Sequence, residues 1–361
     1  MQKEITPFFN RISEILASNR PFVTYRKPNE ELVSVIAQTN NNLYELTNFD
    51  QVGFVFCPFH ESGKKVLFPV EECELFSTKI TQFDNLSIKV HSEKLMINGD
   101  VLSKGSHLKL VKKGVDFIKL NKAKKIVLSR KEVISYSKLD VLNTFKKMLS
   151  NYVNAFVYVW FHPSIGLWMG ATPERLINLK EQNIKTMALA GTQPFLGSMD
   201  VQWHEKEKNE QQYVTDFILQ NIKITVKNIQ AVGPYTVKAG NLLHLRTDIT
   251  GELITANSLE KIVNSLHPTP AVCGLPKQVA TQFILENEGY DRTYYSGYLG
   301  ELNMIEKTHL FVNLRCMQIE KKTVSIYIGG GITEDSIPIN EYEETVSKAA
   351  VMKKVLGFHT S

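Results

Sequence analysis

The chain has 361 residues, 43% of them hydrophobic and 22% charged, with a formal net charge of +5 at pH 7. This is ordinary globular composition, enough for a sizeable core without disulfides. The positive charge is modest and spread along the chain rather than gathered into a tail that would bind a polyanion.

The N-terminus, Met1-Gln2-Lys3-Glu4, leads into an amphipathic pattern of Phe8, Phe9, Ile12, Ile15 and Leu16 broken by charge, unlike the apolar core of a signal peptide. Residues 1–115 offer short strand candidates such as Val66-Leu67-Phe68 between polar turns, with little identifiable chemistry. From Lys119 the signals become denser. Lys119, Lys122, Lys124, Lys125, Arg130 and Lys131 surround the apolar triplet Ile126-Val127-Leu128, which reads as a buried strand; no nucleic-acid motif accompanies the charge, so no nucleic-acid partner is expected. Strand-like runs follow at 156–161, 166–170 and 184–189.

A helix is expected over 205–229, where Val214, Phe217, Ile218, Ile222, Val226 and Ile229 keep a 3.6-residue period until Gly233-Pro234. Another is expected at Leu259, Ile262, Val263 and Leu266, and a third starts at Pro276 with Val279, Phe283 and Ile284. Strands at 310–319 and 323–328, joined by Glu320-Lys321-Lys322, form a predicted hairpin. In the last helix Asn340 reads as the N-cap, Glu341 and Glu344 fall in the first turn, and Tyr342, Val346, Ala349 and Ala350 face inward. Hairpins mixed with long helices imply an α+β fold of mainly antiparallel sheet with helices outside. No repeat or linker divides the chain, so residues 1–361 read as one unit, with a divergent half at 1–115 and a catalytic half at 119–356. No run approaches 18 apolar residues, which argues against a membrane span. Cys57, Cys73, Cys273 and Cys316 lack zinc or disulfide spacing and read as reduced thiols of a cytoplasmic protein.

Chemistry concentrates in two glutamate pairs, Glu207/Glu210 and Glu341/Glu344, each spaced i, i+3. On a helix that spacing turns both carboxylates to one face, and two such pairs brought together need a counter-charge, for which a hard divalent cation such as Mg2+ is suited. Two solvated helix faces are the alternative. Gly329-Gly330-Gly331 after a strand reads either as an anion nest or as a flexible turn, and lacks nucleotide-loop spacing. Arg315 in an apolar strand is either half of a structural ion pair or a carboxylate clamp. Lys125 at the head of a buried strand is a base if kept from water and a solvated strand end otherwise, and Glu174 after Pro173 is a proton donor if its pocket is dry.

Taken together and in order, Lys125-Ile-Val-Leu-Ser-Arg130, Gly170-Ala-Thr-Pro-Glu-Arg-Leu176, Ala188-Leu-Ala-Gly-Thr192, Leu266-His-Pro-Thr-Pro-Ala-Val272, Val312-Asn-Leu-Arg315, Gly329-Gly-Gly-Ile332 and Glu341-Tyr-Glu-Glu-Thr-Val-Ser-Lys348 resemble the chorismate-utilising enzymes. The resemblance spans roughly 119–356. It implies two large antiparallel sheets, chorismate as substrate and Mg2+ as cofactor, with Glu210 and Glu344 as principal metal ligands supported by Glu207 and Glu341. It further implies that Gly329, Gly330, Gly331, Arg315, Tyr295 and Lys348 hold the substrate's carboxylates. Gly191, Thr192 and His244 would line the ring site, with Lys125 as the base that activates water and Glu174 as the acid. Cys273, Glu301 and Gln212 depart from the family's usual residues without removing any of these groups.

Position 190 is Ala, where aminodeoxychorismate synthases of similar pattern carry a nucleophilic lysine. The chain also shows no trace of the tryptophan site usual in anthranilate synthases. Water as nucleophile implies isochorismate synthase first, feeding menaquinone or a siderophore, with no obligatory protein partner. Salicylate synthase is second, because Tyr295-Ser296-Gly297 resembles that subgroup's turn. A non-catalytic binding protein is a further alternative.

Overall fold

The computed structural model describes residues 2–81, 96–97, 101–240, 242–255 and 258–357. Most central strands are buried along their whole length, which explains why they read as continuous apolar runs rather than alternating ones. The central strands of each sheet are covered on both faces.

The first sheet takes β1 (Phe22–Arg26), β2 (Leu32–Gln38), β6 (Cys73–Lys79), β7 (Met96–Ile97), β8 (Lys125–Ser135), β9 (Phe156–His162), β10 (Gly166–Thr172), β15 (Gly274–Leu275), β18 (Cys316–Ile319) and β19 (Thr323–Ile332). Their order is β15-β8-β19-β18-β10-β9-β1-β2-β6, with β7 beside β8. The second takes β3 (Tyr44–Glu45), β4 (Gly53–Cys57), β5 (Val66–Pro69), β11 (Arg175–Lys180), β12 (Asn183–Pro194), β13 (Val226–Ala239), β14 (Leu242–Leu253), β16 (Tyr298–Met304) and β17 (Lys307–Val312). Its order is β13-β14-β12-β11-β17-β16-β4-β5-β3. All the pairings described are antiparallel.

Between the sheets lies an aromatic layer in which Phe156 stacks on Phe311 at 4.4 Å, Phe56 on Tyr294 at 4.3 Å and Phe68 on Trp160 at 5.3 Å. Offset aromatic contacts of this kind contribute about 0.5–1.5 kcal/mol each beyond the area they bury. Helices α1 (Gln2–Ala17), α3 (Val141–Asn151) and α7 (Pro338–Leu356) cover the outer face of the first sheet, packing Phe9, Phe145 and Val355 onto Val157, Val159 and Met169. Helices α4 (Glu205–Ile222) and α5 (Leu259–Leu266) cover the second with Val214, Ile218 and Ile262. Helices α2 (Val101–Lys119) and α6 (Lys277–Asn287) close the end of the first sheet against Ile126 and Leu128. Among the described residues, no helix is long and apolar enough to cross a membrane.

The early residues are part of both sheets: β1 pairs with β9 and β4 with β16. Several local expectations are corrected. The helix expected over 205–229 stops at Ile222, and Val226, Ile229 and the Gly233-Pro234 pair belong to β13, an edge strand in which a register shift between Lys227 and Gln230 lets Val226 and Ile229, three residues apart, pack on the same core. The run 310–319 is two strands, β17 in one sheet and β18 in the other, with Arg315 at the crossover instead of inside a strand. Gly329–Gly331 continue β19 rather than forming a turn. Helix α7 begins at Pro338 with Ile337 as N-cap, so Asn340 is no cap and Glu344 falls in the second turn. Val346 is 41% exposed, whereas Ala349 is buried as expected and shares the buried face with Glu341 and Thr345.

Candidate active site

The crossover between sheets opens a cavity of about 110 Å³. Lys125, Glu174, Gly191, Thr192, Glu210, His244, Tyr295, Arg315, Gly329, Gly331, Glu344 and Lys348 all line it. Residues from six strands or their ends and from two helices therefore converge, although the sequence separates them by up to 223 positions. Glu207, Gly330 and Glu341 stand behind the lining. Glu207 packs against Gly191, and its carboxylate accepts from the His204 N–H at 3.1 Å, capping its own helix.

Lys125 is fixed by the pairing of β8 with β15 on one side and β19 on the other. It is 1% exposed, and its ammonium lies 2.9 Å from Glu210 Oε1. Helix α4 holds Glu210 there because Gln211, one residue on, donates to Thr247 Oγ1 of β14 at 2.7 Å. Burial pushes the Glu210 carboxyl up, but the Lys125 ammonium outweighs it and leaves the carboxyl below its ordinary value.

The glycines of β19 are explained by close approach. A methyl at Gly331 would lie 1.8 Å from Glu210 Oε1, and one at Gly329 would lie 2.7 Å from the Tyr295 hydroxyl. Side chains alternate along a strand, and Gly330 accordingly faces α7, with Glu341 Oε2 and Glu344 Oε1 at 3.7 and 3.9 Å from its would-be Cβ. Arg130 on β8 anchors that helix by donating from Nε to Thr345 Oγ1 at 2.8 Å. Lys348 bridges Glu344 at 2.6 Å and the Gly329 carbonyl at 3.1 Å.

Glu174 sits between β10 and β11, 4% exposed. Burial pushes its carboxyl up to about 7, with Lys125 and Arg315 pulling in the opposite direction. Arg315 has a φ of 47°, a left-handed conformation that costs a non-glycine residue about 1 kcal/mol or more. The site over-determines it: the guanidinium donates to the Ala239 carbonyl at 3.0 Å and to His244 Nε2 at 2.7 Å. His244 Nδ1 lies 2.9 Å from the Gly191 carbonyl, which can only accept, so the ring is neutral with its proton on Nδ1. Burial and the Arg315 charge agree with that assignment, lowering the imidazole to about 3. Tyr295 stacks on Tyr327 at 5.5 Å, and its turn is held by Asn313, which accepts from Tyr158 at 2.6 Å and donates to the Tyr294 carbonyl at 2.9 Å.

Lys206 is a residue the sequence reading passed over. Its ammonium lies 2.5 Å from Glu341 Oε1, and Glu341, Glu210 and Glu344 together raise its proton affinity against the effect of burial. Its position next to Glu207 was the available signal. Among the described residues, no three carboxylate, histidine or cysteine side chains are grouped closely enough to form a metal cage by themselves. The buried Glu341 Oε2 nevertheless has no hydrogen-bond partner and shares the Gly330 face with Glu344. An orphaned carboxylate oxygen beside a second carboxylate fits a hard cation that completes its shell with water and an anionic ligand.

The family profile described as chorismate binding enzyme matches residues 63–357. The chain belongs to the chorismate binding enzyme family. Among curated members it is 28% identical over 279 residues to the isochorismate synthase MenF of Bacillus subtilis (strain 168), covering 74% of this chain and 59% of that protein. It is 30% identical over 197 residues to the isochorismate synthase MenF of Escherichia coli (strain K12), covering 52% and 45%. The chain thus spans about half the length of the curated relatives it matches. The solved structure of the menaquinone-specific isochorismate synthase MenF from Escherichia coli superposes with a TM-score of 0.77 at 21% identity, covering 93% of this chain and 88% of that one. That likeness establishes the shared α+β fold of two antiparallel sheets.

Proposed function

We propose that this chain is a Mg2+-dependent isochorismate synthase, an isomerase acting on chorismate in the cavity at the sheet crossover. The observation that carries the reading is the convergence, on one cavity, of a buried carboxyl raised to about 7 and a buried lysine. Those are the two proton-transfer groups the reaction needs.

In the proposed step Lys125, as the neutral amine left once its ammonium has released a proton to solvent, takes a proton from a water molecule whose oxygen bonds to C2 of the ring. The C1–C2 and C5–C6 π electrons shift to C1–C6 and C4–C5. The C4–O bond breaks, and Glu174 protonates the departing hydroxyl. One water enters, one leaves, and no electrons are exchanged with a cofactor. Arg315, held by His244, and Lys348 supply positive charge for the two carboxylates of the substrate, while the Tyr295 hydroxyl limits the ring's position above Gly329. Glu210, Glu341 and Glu344 would hold the metal, with Glu207 bracing α4, and when bound it supplies charge neutralisation for the ring carboxylate beside the acidic residues. Ala190 presents only a methyl to the cavity, so no amine stands where it could replace water.

The test is incubation of the purified protein with chorismate and Mg2+, followed by separation of products. Isochorismate without pyruvate supports the reading. Salicylate with pyruvate would extend the reaction to a synthase that also eliminates the side chain, and unchanged chorismate would refute both. Pathway, whether toward a quinone or a siderophore, is set by the enzymes that consume the product.

A further inference from the structure

A second cavity, of about 790 Å³, lies on the other side of Arg315 and shares Pro173, Leu189 and Arg315 with the inner one. These three residues line both. Four cations line the larger space, Arg175, Lys238, Arg246 and Arg315, and among its described lining residues there is no aspartate or glutamate.

The cations are not equivalent. Arg246 is paired with Asp248 at 2.5 Å, and Asp248 also accepts from Tyr235. Lys238 lies over the Phe195 ring at 3.5 Å from its centre. Arg315 is committed to Ala239 and His244. Arg175 differs from all three: among the described residues its guanidinium has no ion pair or hydrogen bond, and its Nε is buried without a partner. Burial and the neighbouring Arg246 charge lower its proton affinity, and only Asp248 offsets them. A half-buried guanidinium whose donors find no hydrogen-bond partner is destabilising. Its retention is accounted for if the missing partner is a ligand. Consecutive residues of an extended chain point to opposite sides, so Glu174 faces the inner cavity and Arg175 the outer one.

We infer that the outer cavity is a carboxylate-capture chamber, in which Arg175 binds a carboxylate of the incoming dianion before Arg315 takes it into the inner site. The inference rests on the proposed function for its ligand, chorismate. A cation-lined cleft with low-dielectric walls raises encounter rates by about 10-fold to 1,000-fold, and the effect weakens as salt is added. Arg175 touches none of the reacting atoms in this scheme, so it is a capture residue.

The test compares wild type, Arg175→Gln and Arg175→Lys in steady-state turnover of chorismate with Mg2+ over a range of ionic strength, with unfolding midpoints measured alongside. Arg175→Gln is expected to lower kcat/KM about tenfold at low salt, leave kcat unchanged and flatten the salt dependence. Arg175→Lys is expected to restore most of the loss. Active protein in which Arg175→Gln leaves kcat/KM and its salt slope intact overturns the capture chamber alone. So does an equal fall in kcat for both variants accompanied by a lowered unfolding midpoint. Wild-type protein that leaves chorismate unchanged refutes the functional reading and removes the chamber's ligand with it.

Discussion

Substituting Gly331 by Ala adds one methyl group where the site has no room for it. The carbon would lie 1.8 Å from Glu210 Oε1 and 3.0 Å from Lys125 Cε. Comfortable contacts of this kind are about 3.5 Å, so the carboxylate must retreat by more than about 1 Å, which breaks its 2.9 Å contact with Lys125. Backbone strain plays no part, since Gly331 is not among the residues with positive φ. Overpacking of a buried position is destabilising by about 1–3 kcal/mol. A displacement of about 1 Å in a catalytic group lowers turnover by about 100-fold. The neighbouring positions calibrate the argument. Gly330→Ala meets nothing closer than 3.7 Å and gains strand propensity, so its stability should stay within about 1 kcal/mol of wild type. Gly329→Ala meets the Tyr295 hydroxyl at 2.7 Å and the Leu128 carbonyl at 3.2 Å, and should fall between. Thermal unfolding should rank the midpoints Gly331→Ala lowest, Gly329→Ala next and Gly330→Ala highest. Equal midpoints for Gly331→Ala and Gly330→Ala, or wild-type kcat in Gly331→Ala, would refute the assigned packing.

Because Glu174 must be protonated to act, kcat should fall as pH rises through about 7, and Glu174→Gln should remove the activity together with that limb of the profile. A carboxyl raised in the folded state contributes stability fully present below its unfolded value and lost as pH rises through about 7. The neutral Glu174→Gln variant should therefore be more stable than wild type at pH 8, by up to about 3 kcal/mol, and an unchanged unfolding midpoint would contradict the buried-acid assignment. Lys125→Ala should abolish hydration while chorismate binding stays measurable by calorimetry, and it leaves Glu210 buried without its partner, a change of about 3–5 kcal/mol visible in denaturant unfolding. Chelation of Mg2+ should stop turnover, and Glu344→Gln should weaken the coupling between Mg2+ and chorismate in titrations of each against the other. Lys206→Met removes the ammonium that now neutralises Glu341 and should tighten Mg2+ binding in calorimetry; weaker binding would show that the ammonium organises the carboxylates instead of competing with the ion.

The strands were legible where an apolar run was bounded by turns, as at 126–128, 156–161 and 166–170, because burial on both faces leaves nothing polar inside them. The length of α4 was not, because a register shift in the edge strand after it puts Val226 and Ile229 on one core three residues apart, a spacing that reads as a continuation of the helix. The crossover at Arg315 was also hidden: β17 and β18 are both largely buried, and of the three residues that carry the chain between sheets Asn313 is buried and Leu314 and Arg315 are only partly exposed. Most of the candidate site was accessible through motifs, and the cavity lining now gathers twelve of those residues. Chemistry added by folding was not legible. No local pattern reports that Lys206 reaches Glu341 in another helix, that Glu174 is buried, or that Arg175 Nε has no hydrogen-bond partner among the described residues.

The central claim, attack by a water molecule prepared by Lys125, is tested most directly by running the reaction with chorismate and Mg2+ in 18O-enriched water. Product analysed by mass spectrometry should carry one 18O per isochorismate, located in the new ring hydroxyl, with the Lys125→Ala protein forming none. Isochorismate that retains only the oxygen atoms of the starting chorismate would contradict the mechanism, since the hydroxyl would then have migrated without solvent entering the cavity.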